Sequence, residues 1–185
     1  YETLGIAKTN EEMQNHLASL PNGGQDALGN QWAAGDIMYA DINGDGRIDS
    51  GSWTEEDPGD RKLIGNSSAR FPFSFTLSAD WKGFDFRTFF QGIMKRDYFQ
   101  GSYYFWGASS SGQWWSTGLV EHEDYFRADA NHPLGQNLDS YYPRPVFSGK
   151  NQQTQTKYLQ NAAYIRLKNI QLGYTIPSEI MEGLG

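Results

Sequence analysis

The stretch FPFSFTLSADWKGFDFRTFFQG, residues 71–92, decides the fold. Its odd positions Phe71, Phe73, Phe75, Leu77, Ala79 and Trp81 are apolar, and between them stand Pro72, Ser74, Thr76, Ser78 and Asp80. A period of two is that of a β-strand with one apolar face and one polar face. Beyond Lys82-Gly83 the alternation resumes: Phe84, Phe86, Thr88, Phe90, Gly92 and Met94 share one face, and Asp85, Arg87, Phe89, Gln91 and Ile93 the other. A two-residue turn at Lys82-Gly83 sets Trp81 opposite Phe84, Ala79 opposite Phe86 and Phe75 opposite Phe90, so the apolar faces coincide. A three-residue turn would set Asp80 against Phe84 and break that match. The two-residue turn is therefore expected, although a left-handed Lys82 costs about 1 kcal/mol. Eleven alternating positions are about the length of a tilted transmembrane strand.

The rest of the composition agrees with such strands. The chain has 185 residues, room for one domain with a sizeable core. Aromatic residues make up 15% of it, yet mean hydropathy is −0.67. Many rings in a polar average suit a sugar-binding β-protein or a membrane β-barrel, whose alternating strands never score as hydrophobic. No run approaches the roughly 18 apolar residues of a membrane helix. The net charge of −7 comes without a basic block, which argues against nucleic acid as a partner. Cysteine is absent, excluding disulfides, thiolate metal sites and a Cys nucleophile. The chain opens on Tyr1 with no signal peptide, and reads as a piece of a longer protein.

Working outward, residues 8–66 read as a long loop containing one short helix. Thr9 stands where it can cap that helix, with Glu12 three residues on in a capping-box pattern, and Met13, Leu17 and Leu20 fall on one face. Pro21 and Gly23-Gly24 end it. The strand hairpin spans 70–97, a second long loop 98–160, and a last strand 161–176. In that strand apolar positions are odd early (Ala163, Ile165, Leu167) and even late (Ile170, Leu172, Tyr174, Ile176). Either a bulge at Lys168-Asn169 shifts the phase, or Arg166 and Lys168 point outward above an apolar band. Long connections alternating with tight turns imply an all-β fold of antiparallel strands from a large transmembrane outer-membrane β-barrel, with long extracellular loops and one short helix. These residues supply only part of such a barrel.

Asp41 to Asp49 reads DINGDGRID. Asp41, Asn43 and Asp45 occupy positions 1, 3 and 5 of a calcium loop of the EF-hand type, Gly46 supplies the sharp turn, and Ile48 stands at position 8. Arg47 would ligate through its carbonyl and Asp49 through a water. Position 12 is Ser52 in place of a bidentate carboxylate, which Glu55, Glu56, Asp57 or Asp60 could supply by looping back. The alternative is an Asx turn that holds the loop without metal.

Taken in order, GDIMYADINGDGRID, DRKLIGN, FTLSADWKGFDFRTFFQG, YPRP and YLQNAAYIRLKNIQLGYTIP make the chain resemble the C-terminal part of a SusC/RagA-type TonB-dependent outer-membrane transporter. The resemblance implies location in the bacterial outer membrane, contact with its lipid, and a SusD-like surface lipoprotein as lid. It also implies an oligosaccharide or peptide substrate, and energy relayed by TonB through a plug region that these residues do not include. The family pattern passes quickly from the D-x-N-G-D-G loop to D-R-x-x-I-G; here SGSWTEEDPG intervenes.

Tyr103, Tyr104, Phe105, Trp106, Trp114 and Trp115 could stack on a sugar, contact the lid, or pack the loop's own core. Glu121 to Phe126, EHEDYF, offers carboxylates and His122, but no Ser-His-Asp or H-E-x-x-H spacing occurs, and no enzyme is expected. A soluble, calcium-stiffened β-module that binds glycans is the competing reading. A sandwich would bury the Phe73, Phe75 and Phe90 face, whereas a barrel turns it outward to lipid.

Overall fold

A computed structural model describes residues 1–107, 118–178 and 182. Two compact units divide the chain: Tyr1–Ile64 with Phe99–Leu159, and Gly65–Tyr98 with Gln160–Gly185.

The second unit is an antiparallel sheet of β3 (Arg70–Trp81), β4 (Phe84–Lys95) and β7 (Tyr164–Tyr174), in the order β3-β4-β7, with the short strands β5 (Asp97–Phe99) and β6 (Leu159–Asn161) between β4 and β7 in the chain. Lys82 and Gly83 turn the hairpin at φ 48° and 85°, both left-handed, as a two-residue turn of the right twist requires. The register is that expected from the sequence: Trp81 faces Phe84, Ala79 faces Phe86 and Phe75 faces Phe90. On the other side β4 pairs with β7, Phe84 with Tyr174, Phe86 with Leu172 and Thr88 with Ile170. The pairing then shifts, Phe89 facing Asn169 but Phe90 facing Leu167, so Lys168 is the extra residue of a bulge. The bulge keeps Leu167 and Ile165 on the same face as Ile170 and Leu172. Thr88, the polar member of that face, donates its hydroxyl to the Asn169 carbonyl at 3.0 Å, meeting a backbone group beside the interrupted ladder.

One face of the sheet is thus apolar across three strands. Phe73, Phe75 and Phe90 stack at 6.5 and 4.9 Å, and Phe84 meets Tyr174 at 4.5 Å near the turn. Phe75, Leu77, Trp81, Phe84, Leu167, Ile170 and Leu172 are exposed. The opposite face is mostly polar, with Ser74, Thr76, Ser78, Asp85, Arg87, Gln91, Arg166 and Gln171, and carries Phe89, Ile93 and Tyr164 toward the end away from the turn.

The first unit has its own core. Strand β1 (Thr3–Ile6) pairs antiparallel with β2 (Ile37–Tyr39), and β2 lies inside the stretch 8–66 that reads in the sequence as loop. The helix α1 (Asn10–Ala18) begins as expected, Thr9 accepting the Glu12 N–H at 3.0 Å. The reciprocal half of the capping box differs: the Glu12 carboxylate takes the Lys8 N–H at 2.6 Å instead of that of Thr9. Met13 and Leu20 are buried, with Ile37, Tyr39, Ile48 and Tyr158.

Polar side chains finish this core by acting as strand surrogates. Buried Gln25 accepts from the Tyr39 N–H at 2.6 Å and donates to the Ile37 carbonyl at 3.1 Å. The Ile37 N–H is taken by the Asn151 side chain at 2.9 Å. Short strands that bury their backbone must find such partners.

Candidate functional site

The first unit carries the residues that the sequence singles out. In the turn Asp41 to Asp49, Asp41 accepts the N–H groups of Gly44 and Gly46 at 2.6 and 2.9 Å. Asn43 accepts the Asp45 N–H at 3.0 Å, and Asp45 that of Arg47 at 3.0 Å. The Arg47 guanidinium folds back to Asp49 at 2.8 Å and Asp45 at 3.4 Å. Ile48 anchors the turn in the core, fully buried. Among the described residues no group of three or more His, Cys, Asp or Glu side chains is placed to hold a metal ion. The turn is closed by its own hydrogen bonds, with Arg47 supplying positive charge.

Of the four acids that could complete the loop, Asp60 is the one that returns to its backbone. Its carboxylate takes the N–H groups of Ile42 at 2.7 Å and Asp49 at 2.8 Å. Burial, helped by the negative charge of Asp41, pushes the Asp60 carboxyl above the usual range despite those two bonds. Asp57 instead holds Ser52.

The aromatic residues divide. Phe105 and Trp106, in the four-residue helix α2 (Tyr103–Trp106), are buried and pack the unit's own core. Both meet Tyr158 edge-on, at 5.6 and 5.0 Å, and Phe105 also meets Tyr142 at 5.4 Å. Edge-on packing sets the positive rim of one ring on the negative face of the next. Tyr104 is 78% exposed. Trp114, Trp115 and the side chain of Tyr103 lie outside the described residues.

Beside this cluster opens a cleft of about 360 Å³, walled by Trp106, Leu119, Val120, His122, Tyr125 and Pro143 among others. His122 is fixed in it. Its Nδ1 accepts the Leu119 N–H at 2.9 Å and its Nε2 lies 3.0 Å from the Tyr104 carbonyl. A carbonyl only accepts, so Nε2 carries the proton and the ring is the neutral Nε2–H tautomer. Both nitrogens serve the backbone.

A group the sequence does not reveal lies at Asp36. Fully buried, it takes two bonds from Arg144 at 2.9 and 2.8 Å, one from Lys150 at 2.8 Å, one from Asn151 at 2.9 Å and the Ala33 N–H at 2.9 Å. Burial alone would raise this carboxyl, but the bonds from Arg144, Lys150 and Asn151 prevail and hold it below the ordinary range. Burial also draws the Lys150 ammonium down, against the pull of Asp36. The cluster ties residues 31–37 to 144–151.

The chain is similar to TonB-dependent receptor P3 of Formosa agariphila, 26% identical over 151 residues, which are 82% of this chain and 13% of that protein. It is also similar to TonB-dependent receptor P39 of the same organism, 27% identical over 152 residues, again 82% of this chain and 13% of the relative. The chain therefore spans about 13% of the length of the curated relatives it matches. No protein-family model matches it.

Proposed function

We propose that these residues form part of a TonB-dependent outer-membrane transporter of the SusC/RagA type. In this reading β3, β4 and β7 are neighbouring staves of its β-barrel, and the first unit is built from extracellular loops. The observation that carries the reading is the continuous apolar face of the β3-β4-β7 sheet, three strands wide, exposed, and backed by a mostly polar face. Strands of 12, 12 and 11 residues suit a tilted barrel crossing. Trp81, Phe84 and Tyr174 gather at the turn end, as an aromatic girdle does at the membrane interface. The polar face then lines the lumen. Similarity to two TonB-dependent receptors supports the TonB-dependent part of this reading.

The transporter imports an oligosaccharide or peptide with a SusD-like lipoprotein as partner, and draws energy from TonB through a plug outside this chain. In this reading it performs no covalent chemistry on its cargo. Calcium belongs to the reading as well, held by Asp41, Asn43, Asp45, the Arg47 carbonyl and, through water, Asp49. Its binding requires the Arg47 guanidinium to release Asp45 and Asp49.

The test places a charge on each face. In the full-length protein refolded into lipid vesicles, Phe75→Arg should destabilise the barrel by about 2–4 kcal/mol relative to Phe75→Ala, and Thr76→Arg should be tolerated. Equal damage at the two positions would overturn the assignment of faces.

A further inference from the structure

Residues 51–59, inside the segment that interrupts the family pattern, form a tight head on the first unit. Gly51 at φ 55° and Gly59 at φ 59° lie back to back. A Cβ on Gly51 would sit 2.5 Å from the Gly59 nitrogen and 2.5 Å from the Asp57 carbonyl, so neither arm of this neck has room for a side chain. Above the neck the Ser52 N–H meets the Asp57 carbonyl at 3.2 Å, and the Ser52 hydroxyl and N–H both bind the Asp57 carboxylate, at 2.5 and 2.9 Å. Arg61 spans the base, donating to the Ser50 carbonyl at 2.8 Å and the Pro58 carbonyl at 3.1 Å. Its guanidinium then lies 3.9 Å from the centre of the Trp53 ring.

Trp53 is the residue this construction presents. It is 75% exposed and sits at φ 63°, a left-handed conformation that disfavours so bulky a residue. Strain of this kind persists only where the surroundings over-determine it, and it is a pointer to function. The indole has one face covered by a guanidinium that is itself tied down, and Glu55 and Glu56, two and three residues further along the head, are both exposed.

We propose that Trp53 is a stacking platform for a neutral oligosaccharide, a capture point on the outer surface of the transporter. The inference rests on the reading of the first unit as extracellular loops, and narrows its cargo. The C–H face of a pyranose is apolar and carries slight positive charge, so it stacks on the negative face of an aromatic ring. Hydroxyl groups at the sugar's edge donate to carboxylates in charge-assisted bonds, and Glu55 and Glu56 supply exposed carboxylates on the same head. The same carboxylates, with Asp57, repel uronic acids and sulfated sugars. A cationic peptide gains little over the ring, because the Arg61 guanidinium lies against its other face. A platform already held in place binds without first losing side-chain freedom.

The test is calorimetric titration of the full-length protein in detergent micelles. The probes are malto-, cello-, xylo- and laminarihexaose, with hexamers of mannuronate and galacturonate as acidic counterparts. At least one neutral hexamer should bind, and the acidic ones should not. Trp53→Ala should weaken the neutral hexamer about fivefold while Trp53→Phe keeps most of the affinity. Trp53→Gly should lose affinity like Trp53→Ala yet melt no lower than wild type, since glycine relieves the left-handed strain. Neutral binding that is unchanged in Trp53→Ala overturns the platform and leaves the transport reading standing. Preference for the acidic hexamers overturns the cargo class. No binding of any hexamer to the wild type removes the platform and counts against the glycan-transport reading as well.

Discussion

Removal of the Asp36 carboxylate should open two sequence-distant segments together. Asp36 is fully buried and joins Arg144, Lys150 and Asn151 across 108 to 115 residues of chain. Asp36→Ala leaves the Lys150 ammonium, only 3% exposed, facing the carbonyls of Asn30 and Gln31 with no counter-charge beside it. Breaking a buried pair in this way costs about 3–5 kcal/mol, mostly the penalty of the stranded charge. The assay is hydrogen exchange followed by mass spectrometry on the full-length protein, reading peptides over 31–39 and 144–158. Protection in both should fall by roughly two to three and a half orders of magnitude, capped by the unit's own stability. Adding Lys150→Met to Asp36→Ala should recover part of the loss, because no ammonium then remains buried. The pH dependence has a definite sign. The folded carboxyl is held below its unfolded value, so its contribution is fully present above about pH 4 and is lost as pH falls through the folded value. Wild type should lose protection under acid on this account, and Asp36→Ala should lack that component. A drop of less than tenfold, or a drop confined to one of the two segments, would refute the idea that this cluster ties them.

Lys82→Gly should stabilise the hairpin by about 1 kcal/mol, since Lys82 sits at φ 48°; a lower midpoint in denaturant-induced unfolding from vesicles would contradict the turn geometry. Thr88→Val keeps the shape but removes the hydroxyl's bond to the Asn169 carbonyl, and should cost about 1 kcal/mol in the same assay. Calcium at millimolar concentration should protect residues 36–66 from exchange, and Asp45→Ala should abolish that protection; equal protection with and without calcium would leave the self-closed turn as its whole role.

The two units differ in how far their sequence betrays them, and the reason is physical. In the sheet, each residue's face follows from its parity, so the alternation from Phe71 to Met94 fixes both the hairpin register and the turn at Lys82-Gly83. Even the bulge is visible, as the change of parity between Leu167 and Ile170 that Lys168 absorbs. The hydroxyl of Thr88 that meets the Asn169 carbonyl is not, because nothing in a threonine's parity says where its bond goes. The first unit has no such parity to read. Strands of four and three residues are too short to show a period, and the groups that close them are the side chains of Gln25 and Asn151, which look like loop polarity in the sequence. The same holds for Asp60, which stands 15 residues beyond the last glycine-flanked aspartate of the turn, Asp45, and yet binds the turn's backbone at both Ile42 and Asp49. Side-chain-to-backbone closure carries tertiary information in single residues instead of patterns. A long stretch rich in Asp, Asn and Gln is therefore compatible with a folded unit whose apolar core is closed by polar side chains, and hydrogen exchange distinguishes that state from a solvated loop where hydropathy does not.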